Sequence, residues 1–302
     1  VFRTLVVVAA LAACGRSQGV ADRDLGGLVI APKAKPEPID LTKAVNDPAE
    51  LGRALVLPER AVATALGPHT TAIATETTVD EGGKTVENLS DHTTIERGEQ
   101  GAFHALYTNS ADYGREAIFT GGKLYLRPRY QKWHARAPET PDEPAELRDS
   151  YYSAIGATWD LVAPGAELSD LGPMQIGGRA GRKIAVKLAP SPQKNPTEPL
   201  AQRKWRESRS IDQLVGEVVL DADKGVPLAV KLVGTVAFSR DGRRFTMKLS
   251  VDSTVSAVGQ AVAVTAPGGE DVVATPERMR EVDDRDYLLQ GIAPPLRKAD
   301  KK

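Results

Sequence analysis

LVGEVVLDADKGVPLAVKLVGTVAFSRDGRRFTMKLSVDSTV, residues 214–255, alternates apolar and polar positions through three successive runs. Leu214, Gly216, Val218 and Leu220 share one face of the first run, and Asp221 to Gly225 turns the chain. Leu228, Val230, Leu232, Val236 and Phe238 follow, then the turn Arg240-Asp241-Gly242. In the third run Phe245, Met247, Leu249, Val251 and Val255 are separated by Thr246, Lys248, Ser250, Asp252 and Thr254. Successive strand side chains point to opposite faces, so this period of two predicts three long antiparallel strands, apolar on one face and wet on the other.

The same period starts again upstream. Ile73, Thr75, Thr77 and Val79 share a face ahead of Glu81-Gly82-Gly83, and further strand segments are Thr85–Glu96, Ala102–Asn109, Glu116–Thr120, Lys123–Arg127 and Arg182–Leu188. Gly121-Gly122 predicts a tight hairpin. Gly177, Gly178 and Gly181 read as another hairpin, because no Lys-Ser/Thr pair follows them to complete a phosphate loop.

Helix signals are fewer. Asp47-Pro48-Ala49-Glu50 supplies an N-cap, a first-turn proline and an acidic first turn; Pro58 interrupts this segment and Gly67-Pro68 ends it. One helix is expected over Asp142–Val162, started by a Thr140/Glu143 capping box. Its stripe of Leu147, Tyr151, Ile155, Trp159 and Val162 should lie across the apolar sheet face. A proline-rich loop spans Pro190 to Pro199, and a short helix is expected over Thr275–Gln290 in the polar region after Pro267.

At the other end, Arg3 precedes an apolar run, Leu5 to Ala13, too short to span a bilayer. It closes on Leu11-Ala12-Ala13-Cys14, which resembles the lipobox of bacterial lipoproteins. That resemblance implies a diacylglycerol thioether on Cys14, which anchors the chain at a membrane. The expected organisation is therefore a signal peptide (1–13), a lipidated Cys14 with a flexible tether (14–46), an antiparallel β domain (47–267) and a polar extension (268–302). Its place is the cell envelope, facing the periplasm, with the outer membrane favoured over the inner.

Other chemistries find little support. A net charge of −1 lacks the concentrated basic surface that nucleic acid requires. The lone cysteine excludes an intramolecular disulfide. His69, His92, His104 and His134 are scattered, and there is neither a zinc-type spacing nor a G-x-S-x-G elbow. Asp221 to Gly225 lacks the remaining ligands of a calcium loop. No metal, cofactor or catalytic residue is expected, and the chain reads as a non-enzyme; a hydrolase acting on envelope polymers is the weaker alternative, since the two carboxylates of a glycosidase are distant in sequence.

A helix, a β meander, a central helix and a long β meander behind a lipobox resemble the LolA/LolB and LppX/LprG lipoprotein-carrier fold. The likeness covers about Asp47 to Pro267 and includes Gly216-Glu-Val-Val-Leu-Asp221 and Val226-Pro-Leu-Ala-Val-Lys231. It implies a mainly β chain folded as a curved antiparallel half-barrel, with helices against the concave face and an acyl chain or lipid between them. Candidate cavity-lining residues are Tyr151, Ile155 and Trp159 from the helix, with Leu232, Phe238, Phe245, Met247 and Leu249 from the strands. The same side chains would equally fill a solid core, leaving an envelope protein that binds a protein partner. Arg127, Arg129, Tyr130, Trp133 and Arg136 form the densest basic and aromatic stretch; they make either a rim for anionic headgroups or a solvated hairpin with packed rings.

Overall fold

The computed structural model describes residues 37–198 and 201–274. The Leu5–Cys14 segment and the expected helix over Thr275–Gln290 lie outside them. Three short helices come first: α1 (Leu41–Ala44), α2 (Pro48–Leu55) and α3 (Glu59–Leu66). Asp47 caps α2 by accepting from the Ala49 N–H at 2.9 Å, Pro58 separates α2 from α3, and Gly67 ends α3 at φ +73°. The α1 turn falls within the segment expected to be a tether. Asp40 caps it, its Ala44 is buried, and the Asp40 N–H donates to Glu50 of α2.

Twelve strands form one open sheet in the order β12-β6-β5-β4-β3-β2-β1-β11-β10-β9-β8-β7. The first six in the chain are β1 (Thr70–Glu81), β2 (Lys84–Arg97), β3 (Phe103–Asn109), β4 (Gly114–Thr120), β5 (Lys123–Pro128) and β6 (Trp133–Arg136). The others are β7 (Ala166–Ile176), β8 (Arg179–Leu188), β9 (Ser210–Asp221), β10 (Pro227–Arg240), β11 (Arg243–Ser256) and β12 (Val272–Ala274). The β1–β2, β4–β5 and β7–β8 hairpins each turn on a Gly-Gly pair at positive φ, the geometry that matches the twist of paired strands. All pairings are antiparallel except β12 with β6, which is parallel. That edge strand was not visible in the sequence: Val272 to Ala274 is too short to show a period.

The expected class, mainly β and antiparallel with helices on one sheet face, is the class observed. On β11, Phe245, Met247, Leu249, Val251 and Val255 are buried, whereas Lys248, Asp252 and Thr254 are exposed. The apolar face is covered by α4 (Glu143–Tyr152), lying over β2 and β3, and by α5 (Ala154–Val162), lying over β1, β10 and β11. Gly52 allows α2 to approach α5, since a Cβ there would stand 2.7 Å from the Trp159 indole nitrogen. The core joins this helix face to strands β1–β5 and β8–β11.

Two local expectations are corrected. The helix over Asp142–Val162 is two helices, broken at Ser153. Ser150 and Ser153 turn their hydroxyls back onto the Leu147 and Ser150 carbonyls, which competes with regular helix bonding at the joint. The Thr140/Glu143 capping box does not form, because Glu143 is taken by the buried Arg136 guanidinium and by the Glu139 N–H.

Candidate functional site

Between the sheet and the break in the central helix lies a partly open cavity of about 210 Å³. Strand register builds its floor. Ile73, Thr93, Tyr107 and Arg115 are successive pairing partners across β1, β2, β3 and β4, and Thr75 and Asp91 are partners in the adjacent row. The roof is the joint itself: Ser150 and Tyr151 lie in the last turn of α4, Ser153 is the break, and Ala154 opens α5. Thr71, Arg97 and Ser253 are also inward and polar on this face, but here hydroxyls and two charges line one open volume.

The two charges differ in how they are met. The Asp91 carboxylate accepts from the Tyr107 hydroxyl at 2.6 Å and from the Thr75 hydroxyl at 3.1 Å. Asn109 in turn donates to the Tyr107 oxygen at 3.2 Å. The Arg115 guanidinium sits 4.4 Å from the Tyr151 ring centroid and 5.8 Å from that of Tyr107, and donates through Nη2 to the Ser150 carbonyl and hydroxyl, both at 3.4 Å. Among the described residues no carboxylate lies within ion-pair distance of it. Burial, and then the bond to Asp91, push the Tyr107 phenol up to about 12; burial raises Tyr151 further. Both rings therefore remain neutral hydrogen-bond donors at neutral pH. The Tyr151 hydroxyl is buried and has no partner.

Of the eight side chains named from sequence as cavity lining, Tyr151 lines this cavity. Ile155, Trp159, Leu232, Phe238, Phe245, Met247 and Leu249 are brought together in the core, where they are 0–9% exposed. Phe238 and Phe245 stack at 5.4 Å, and Trp205 packs on Phe238 at 4.4 Å.

The basic stretch is not a set of free cations. Arg127 pairs with Glu116 and lies over the buried Trp133 ring; Arg129 pairs with Asp112 at 3.2 Å; Arg136 is buried against Glu143. Tyr130 projects at 78% exposure, with its hydroxyl on Asp112. Asp91, Thr93, Tyr107 and Arg115 were missed by sequence reasoning. Their signal was present as polar residues at inward positions, alternating with apolar ones such as Ile73, Ile95, Ala105 and Ala117.

Among the described residues no helix is long and apolar enough to cross a membrane, and no group of three or more His, Cys, Asp and Glu side chains could hold a metal ion. No family model matches the chain, and no curated protein matches it. Solved structures similar to it include LprF from Mycobacterium bovis, at 15% identity over 73% of this chain and 98% of that one, with a TM-score of 0.29. The lipoprotein LppX from Mycobacterium tuberculosis is similar at 16% identity over 72% and 100% of the two chains, with a TM-score of 0.28. A LolA superfamily protein from Nitrosomonas europaea is similar at 5% identity over 74% and 97%, with a TM-score of 0.19. At these identities and TM-scores the likeness says nothing about a ligand.

Proposed function

We propose that this chain is a lipoprotein anchored through Cys14 in the cell envelope, which holds an apolar or amphipathic ligand, a lipid or acyl chain, between its sheet and its helices. It acts by binding, not by catalysis. The observation that carries the reading is the cavity at the α4–α5 joint, where Ile73, Ala154 and two phenol rings stand beside the hydroxyls and charges already described. Sites for whole drug-sized ligands usually measure about 300–1,000 Å³, whereas an apolar cavity of about 150 Å³ takes a benzene. This cavity is therefore sized for one ring or the end of a chain. Two or three acyl chains on Cys14, at about 0.8 kcal/mol per buried methylene, would make the anchor stable.

Native mass spectrometry of the full chain released gently from membranes tests the reading. Retained lipid or fatty acid appears as added mass on the folded protein. Bare protein from several lipid backgrounds would refute ligand holding. It would also favour a second reading, an envelope interaction module with a filled core, which the tight packing of Ile155, Trp159, Leu232 and Leu249 supports. Labelled fatty acid entering a Cys14→Ser chain would refute the anchor.

A further inference from the structure

Resting on that ligand-holding reading, we propose that Arg115 is an anion subsite, and that the ligand carries an oxyanion, a carboxylate or a phosphate ester, at the end that enters the cavity. A guanidinium carries five N–H donors in a planar fork suited to such groups. Here one nitrogen makes contacts, both at 3.4 Å, long for N–H···O bonds whose usual range is about 2.7–3.2 Å. Arg115 lines the cavity, and among the described residues it makes no ion pair. Arg115 is half-buried and its remaining nitrogens are still reachable by water, so an incoming oxyanion would replace water there with a charge-assisted pair.

The other charge does not serve as that partner. Asp91 belongs to β2 and Arg115 to β4, two strands apart, which is about 10 Å at the usual strand spacing. Its two oxygens already accept from Tyr107 and Thr75. The cavity thus has a satisfied negative end and an unsatisfied positive end.

The Tyr151 ring lies beside the guanidinium. Tyr151 is 3% exposed and lines the cavity. Arg115 stacked on this ring puts the cation on an aromatic wall, while Ile73 and Ala154 leave an apolar wall for carbon. A short amphiphile with its acid group at Arg115 matches both.

Titration calorimetry on the full chain in lipid nanodiscs, with empty nanodiscs as the blank, tests this with octanoate, octyl phosphate, octanol and inorganic phosphate. Octanoate or octyl phosphate should bind at least about tenfold tighter than octanol. Arg115→Met should erase that preference, so that in the variant the octyl acids bind no tighter than octanol. The comparison of acid with alcohol on the unsubstituted chain needs no variant to fold. Equal binding of octanol and octanoate would overturn the subsite and leave the lipid-holding reading standing. Binding of inorganic phosphate without either octyl acid would keep the subsite and overturn the lipid reading, whereas no binding by any oxyanion would overturn the subsite.

Discussion

Glu59 is the charge whose removal should cost this fold most. It opens α3, is 0% exposed, and accepts from Arg148 Nε at 2.7 Å and from Arg97 Nη1 at 3.2 Å. Arg148 comes from α4 and Arg97 from β2, so one carboxylate ties two helices to the sheet. Arg148 also lies over the Phe103 ring at 5.1 Å. The group already holds two cations for one anion, and burial pushes the Arg97 guanidinium down from its usual range. Glu59→Gln leaves both cations buried without a counter-charge. Breaking such a buried group by removing one partner costs about 3–5 kcal/mol. In a domain of this size about 1 kcal/mol moves the melting temperature by 2–4 °C, so the variant should melt roughly 6–20 °C below the parent. Thermal unfolding followed by circular dichroism at neutral pH measures this, with the exposed Glu87→Gln as a control expected to stay within about 0.5 kcal/mol. The joint substitution Glu59→Leu, Arg97→Met and Arg148→Met should recover most of the loss, because no unpaired charge remains. A Glu59→Gln protein that melts with the Glu87→Gln control would refute the reasoning.

Enlargement should separate the cavity from the core: Ala154→Phe fills the cavity with little loss of stability but abolishes uptake of a fluorescent fatty acid, whereas Ile155→Trp overpacks a fully buried position and costs about 1–3 kcal/mol. Equal destabilisation by both would remove the distinction. Gly216→Ala should prevent accumulation of folded protein, since its Cβ would lie 2.2 Å from the Lys231 carbonyl oxygen and 2.7 Å from Leu232 Cδ2; a soluble variant with the parent spectrum would contradict this. Stability against pH should have two histidine limbs of opposite sign. Glu116 chiefly, with Glu96, raises His104, so its contribution is complete below the unfolded value near 6.5 and is lost as pH rises through the higher folded value. Burial lowers His69, so stability falls as pH drops below about 6.5 toward the lower folded value. Denaturant midpoints across pH 5–9 should lose the alkaline limb in His104→Gln and the acid limb in His69→Gln. An unchanged profile in either variant would refute that assignment.

What was legible in the sequence follows the strength of its periods. Strands β9 to β11 read directly because one face is apolar but for Ser253 and two glycines, and the turns at Asp221 to Gly225 and Asp241-Gly242 are chemically marked. The tyrosine and tryptophan stripe correctly placed a helical segment on the sheet, but no propensity marks Ser153 as a break. There the hydroxyls of two ordinary helix residues decide the matter by bonding backward. The cavity was illegible for a different reason. Its floor comes from four strands brought side by side by register, and Arg115 stands opposite Tyr107 only once β3 and β4 are paired. The seven apolar side chains named alongside Tyr151 pack tightly into the core, because an apolar pattern specifies burial, not empty space.

The two halves of the inner sheet face thus have different physical roles. Over β10 and β11, Leu232, Met247, Leu249 and Val251 meet α5 in close packing, and nothing there asks for a further partner. Over β1 to β4, Thr75, Asp91, Thr93, Tyr107 and Arg115 occupy inward positions that apolar side chains would fill at lower cost. Apolar replacements at those positions would need no counter-charge and no hydroxyl network. A fold that retains a half-buried cation without an ion pair beside 210 Å³ of open volume forgoes packing at that place, whereas the buried Arg97 and Arg148 on the same side are met by Glu59. Local departures from an otherwise consistent pattern concentrate at functional sites. Under the proposed function, ligand contact would fall on the β1–β4 half, and the β9–β11 half, the most legible part of the sequence, would be the scaffold that holds it in place.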